Sequence, residues 1–110
     1  MMRRREYPYF YKNDPPNERM SRLVLYVDDD DYTVAVLHEF AGVRKTCIWT
    51  IPTVDYHTRR SMSEYLRHVD PQFICNRLIG GRCVNLPGEY TTRLERDIIE
   101  SLKQFRESEL

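Results

Sequence analysis

Four consecutive aspartates, Asp28 to Asp31, are the densest concentration of reactive side chains in this sequence. Carboxylates so close repel one another, and a turn needing only tight geometry more often uses Asn-Gly or Asp-Gly. The run therefore asks for a cation, a basic partner or a solubility role at a sheet edge. On an extended backbone Asp28 and Asp30 point to one side, and hard cations prefer oxygen ligands. The EF-hand pattern fails, because Tyr32, Thr33 and Val34 stand where glycine and further oxygen ligands are required.

Tyr26-Val27-Asp28-Asp29 resembles the Tyr-x-Asp-Asp hairpin of reverse transcriptases, in which a turn between two strands presents carboxylates to catalytic magnesium. The match covers four residues of 110. A polymerase palm also needs a distant catalytic aspartate, fingers and thumb. Other chemistry is sparser. His57, His68, Cys75 and Cys83 could ligate zinc, but their spacings match no common finger. Cys47 with His38 or His57 and Asp55 could form a nucleophile–base pair, yet Cys47 alternates with Trp49 and Ile51 like a core residue. Gly80-Gly81 reads as a turn, not a phosphate loop. The chain therefore reads as non-enzymatic, with no metal and no cofactor.

Basic residues form two groups. Arg3, Arg4 and Arg5 precede Tyr7, Tyr9 and Tyr11, which share one side of an extended segment. Arg44, Lys45, Arg59 and Arg60 open a second basic stretch. Arginine interleaved with stacking aromatics suits single-stranded nucleic acid. Charge is segregated along the chain: residues 28–43 hold five acids and no base, residues 1–22 hold six bases against three acids, and residues 44–82 hold seven against three. A formal net charge of zero hides local fields of both signs.

The elements that position these groups follow from periodicity. Alternation predicts strands over 23–27, 32–40 and 46–51, joined by the aspartates and by a turn at 41–45. Val34, Val36, His38 and Phe40 share one face, as do Cys47, Trp49 and Ile51. Met62, Tyr65, Leu66 and Val69 make a helical stripe behind the capping-box spacing Ser61-Met62-Ser63-Glu64. Asp70-Pro71 starts a second helix, through Phe73, Ile74 and Leu78, which stops at Gly80-Gly81. A third helix starts at the Thr92-Arg93-Leu94-Glu95 capping box, with Leu94, Ile98, Leu102 and Phe105 as its apolar stripe and Arg93–Asp97, Arg96–Glu100 and Lys103–Glu107 as pairs. A fourth short strand near 82–86 is an option.

The expectation is one α+β domain over 21–110: an antiparallel sheet of three or four strands with two or three helices on one face, and an irregular arm over 1–20. Three cysteines without a Cys-x-x-Cys motif, no apolar leader and no spanning stretch fit a cytoplasmic protein without a membrane partner. The function expected is protein interaction, with Asp28, Asp29, Asp30, Asp31 and Tyr32 meeting a basic protein surface. A viral or mobile-element inhibitor of a nucleic-acid-handling protein would have this character. The alternative is a regulatory protein binding nucleic acid through Arg3–Arg5, the tyrosines and Arg44, Lys45, Arg59 and Arg60. A homodimer fits either reading.

Overall fold

Alternation of buried and more exposed side chains along β-forming segments builds the sheet. The computed structural model describes residues 4–9, 22–40, 42–51, 61–80, 86 and 88–108. Four strands pair antiparallel in chain order: β1 (Arg4–Pro8), β2 (Arg22–Asp28), β3 (Thr33–Phe40) and β4 (Val43–Thr50). Leu23, Leu25 and Val27 of β2, Val34, Val36 and Phe40 of β3, and Cys47 of β4 point inward and are buried. Three helices cover this face: α1 (Met62–His68), α2 (Pro71–Ile79) and α3 (Gly88–Ser108). The fold is α+β, as the periodicity implies.

Local signals set the helix ends. Ser61 is the N-cap of α1 and accepts from the Glu64 amide at 3.1 Å. Asp70 caps α2 by accepting from the Gln72 amide at 2.9 Å, with Pro71 in the first turn. Gly80 closes α2 in the left-handed conformation, and its amide donates to the Asn76 carbonyl at 2.9 Å. On α3 the stripe Leu94, Ile98, Leu102 and Phe105 is buried against β2 and β3.

Three boundaries differ from expectation. Five residues of the expected irregular arm, Arg4–Pro8, form an edge strand of the sheet: β1 pairs with β2 in the register Tyr7↔Leu25, and Tyr7 meets Phe105 edge-on with ring centroids 4.8 Å apart. Pro8 is accommodated because it ends an edge strand. β4 begins at Val43, paired with Phe40, inside the stretch 41–45 expected as a turn, and Gly42 at φ +79° supplies a left-handed residue just before it. α3 begins at Gly88, one turn ahead of the Thr92 box, and its ion pairs include Arg93–Asp97, Arg96–Asp97 and Lys103–Glu100. The strand considered near 82–86 lies outside the described residues except for Leu86.

Candidate interaction surface

The acidic run splits into two structural and two exposed carboxylates. β2 ends at Asp28 and β3 starts opposite it at Thr33, leaving a four-residue loop over 29–32. Asp28 is buried, and its Oδ1 accepts from the amides of Asp30 and Asp31, both at 3.1 Å. A carboxylate folded back on the two following amides is the local turn chemistry of aspartate. Tyr32 completes the turn at φ +52°, packs partly against the core, and accepts the Ile51 amide on its carbonyl at 3.0 Å.

Asp29 points inward toward α1. Its Oδ1 accepts from the Ser63 amide at 2.7 Å, and its Oδ2 accepts from the Ser63 hydroxyl at 3.1 Å and from the Arg5 guanidinium at 2.8 Å. Arg5 also donates to the Ser63 hydroxyl. Two of the amides that a helix N-terminus leaves unbonded are therefore met by side chains, Ser63 by Asp29 and Glu64 by Ser61. This contact ties β1, the β2–β3 hairpin and α1 together. Asp30 and Asp31 remain exposed at the hairpin tip.

The sheet face away from the helices continues from that tip in four cross-strand rows. Asp28, Thr33 and Thr50 form the first; Tyr26, Ala35 and Ile48 the second; Val24, Leu37 and Thr46 the third; Arg22, Glu39 and Arg44 the fourth. Leu37 is 39% exposed and Ile48 46%. Val24, Tyr26 and Ala35 are half-buried beside them. The middle of the face is apolar, one end is acidic, and the other carries two exposed arginines. Arg44 Nε donates to Glu39 at 2.6 Å, and that hydrogen bond, with the guanidinium charge, holds the Glu39 carboxyl below its ordinary range and Arg44 above its own.

Among the described residues, the basic candidates are dispersed. Arg5 is engaged with Asp29 and lies 5.7 Å from the Tyr7 ring. Tyr7 and Tyr9 pack against the core instead of presenting their rings for stacking. Arg4 pairs with Asp28 in the register of β1 and β2. Arg44 is on the outer face and Lys45 on the inner, half-buried. Arg3, Tyr11, Arg59 and Arg60 lie outside the described residues, as do His57, Asp55 and Cys83.

A buried polar cluster is the feature that sequence reasoning missed. His38 Nε2 lies 2.8 Å from Asp97 Oδ2, and His38 Nδ1 lies 3.1 Å from the Tyr90 hydroxyl. The Arg96 guanidinium donates to Asp97 Oδ1 at 2.9 and 3.1 Å, and Arg93 lies 3.7 Å from Oδ2. His38 and Asp97 are fully buried. With both ring nitrogens occupied, His38 has none to offer Cys47, which is itself buried. A cleft of about 390 Å³ lies alongside, lined by Phe40, Gly88, Glu89, Thr92, Arg93 and Arg96. Neither His38 nor Tyr90 lines it. Cys75 is a buried thiol directed at the Glu95 carbonyl, at 3.8 Å, and among the described residues no group of three His, Cys, Asp or Glu side chains is arranged to hold a metal ion.

No family model, no curated protein and no solved structure matches this chain. No helix among the described residues is long and apolar enough to cross a membrane.

Proposed function

We propose that the protein is a non-enzymatic interaction module that binds a protein partner through the outer face of its sheet and the adjoining acidic tip. The observation that carries this reading is the exposure of Leu37 and Ile48 in the centre of a face that ends at Asp30 and Asp31. Isolated exposed apolar residues are ordinary, but here five apolar side chains from three adjacent strands form one continuous patch. Apolar contacts at the centre would provide affinity, and the carboxylates at the rim would steer a basic partner and set its orientation.

The partner is a protein with an apolar contact and a basic rim, the kind of surface found on nucleic-acid-handling proteins, and the setting is cytoplasmic. Asp28 and Asp29 support the hairpin rather than meeting the partner. Direct nucleic-acid binding has less support, because Arg5, Tyr7 and Tyr9 are committed to internal contacts.

Affinity capture from native cells tests the reading with three baits: wild type, the double variant Leu37→Glu/Ile48→Glu, and Asp30→Asn/Asp31→Asn. The expected result is a nuclease-resistant protein partner retained by wild type, lost by the first variant and weakened by the second, with all three baits melting alike. A partner retained equally by all three would overturn it. So would salt-sensitive binding of a labelled single-stranded oligonucleotide, by anisotropy, that is unaffected by either variant.

A further inference from the structure

We infer that, when no other partner is present, this same face is occupied by a second copy of the chain in an antiparallel, two-fold arrangement. The inference rests on the reading of the face as a contact surface and adds the identity of one occupant. Its basis is self-complementarity. From the tip, the exposed carboxylates of Asp30 and Asp31 are followed by two largely apolar rows, with Glu6 and Pro8 of β1 at their edge, and then by Arg22 and Arg44 with Glu39 between them. A two-fold axis lying in the contact plane, perpendicular to the strands, stacks the first row on the fourth and the second on the third. Tyr26, Ala35 and Ile48 of one copy then meet Val24, Leu37 and Thr46 of the other. Asp30 and Asp31 of each copy approach Arg22 and Arg44 of its mate, all four exposed. Closed isologous contact of this kind pairs each patch with itself.

The alternative axis, parallel to the strands, sets tip against tip. It brings together the four exposed carboxylates of two copies and the two pairs of arginines, and like charges across an interface oppose association. The chain's net charge of zero means that two copies meet without global repulsion. Size limits the affinity. Four strands of about seven residues cover roughly 440 Å² in plan, so two copies contribute about 900 Å² before side-chain relief is added. That lies near the lower bound of ~1,000 Å² for a specific interface. The dimer is therefore expected to be weak and reversible.

Sedimentation equilibrium of the full chain over a range of protein and salt concentrations tests this. The expected behaviour is a monomer–dimer equilibrium that salt weakens and Leu37→Glu abolishes. Arg22→Asp and Asp31→Arg should each weaken dimerisation roughly tenfold, the scale of a lost close charge pair, and the two combined in one chain should restore it. Equal melting temperatures confirm that each variant folds. A chain that stays monomeric throughout overturns the inference, as does a dimer that salt strengthens, that Leu37→Glu leaves intact, or that the paired charge exchange does not restore. If the chain is monomeric while Leu37→Glu/Ile48→Glu still loses the captured protein, the dimer is refuted and the interaction reading stands.

Discussion

An alanine scan of Asp28 to Asp31 separates four chemically identical residues into two classes. Asp29 receives three hydrogen bonds: from the Ser63 amide, the Ser63 hydroxyl and Arg5. Removing a capping carboxylate costs ~0.5–2 kcal/mol, and Arg5 is left without this acceptor, so Asp29→Ala should cost about 2 kcal/mol. Arg5 and Asp29 are partly exposed, with side chains 45% and 29% accessible, so the ion pair itself adds little to that figure. Asp28→Ala strips two turn amides of their acceptor and should cost about 1–2 kcal/mol. Asp30→Ala and Asp31→Ala touch only solvent and the repulsion within the run, and each should stay within ~0.5 kcal/mol of wild type. Urea denaturation measures all four, with the slope against denaturant unchanged if the native and unfolded ensembles are preserved. In thermal melts the Asp29 variant should fall by roughly 8 °C, given ~4 °C or more per kcal/mol for a domain of this size. Equal losses at all four positions, or a neutral Asp29→Ala, would refute the assignment of Asp29 to the α1 N-terminus.

Three further expectations follow from other parts of the fold. Tyr90→Phe removes the hydroxyl beside His38 Nδ1 and should cost about 1–2 kcal/mol, whereas Asp97→Ala, which leaves His38 and two arginines without their shared carboxylate, should cost about 3 kcal/mol or more, both read by denaturant titration. A chain starting at Met20 lacks β1 and the Tyr7–Phe105 contact, and should be less stable by roughly 3 kcal/mol from lost aromatic burial, with Phe105 newly open to solvent in fluorescence quenching or NMR. Glu39 should titrate below 4.5 in carboxyl-detected NMR and move back toward 4.5 in Arg44→Gln; its small contribution to stability is present above the ordinary carboxylate range and fades as pH falls through the lowered value.

What could be read from the sequence was what adjacent residues decide. The inward faces of β2, β3 and β4, the α3 stripe, the Ser61 and Asp70 caps and the Gly80 stop all rest on spacings of a few residues, where periodicity and capping chemistry act directly. What escaped depends on distant partners. Ser63 is 34 residues from Asp29 and 58 from Arg5, so no local pattern shows that half of the acidic run serves a helix end. His38 sits on the inward face that its alternation implies, but Asp97, 59 residues away, is what makes it tolerable there. β1 was obscured by Pro8 and by the arginines before it, although the alternation of Tyr7 and Tyr9 marked the face that packs inward. Pro87-Gly88 has the composition of a terminator, yet α3 begins at Gly88.

Methyl-resolved NMR on the chain with its captured protein partner tests the central claim most directly. The account predicts that the Val24, Ala35, Leu37 and Ile48 methyl signals, with the Asp30 and Asp31 amides, shift on binding, while Leu94, Ile98 and Leu102 of α3 stay in place. Shifts confined to the helical side or to residues 4–9, with Leu37 and Ile48 unmoved, would contradict it.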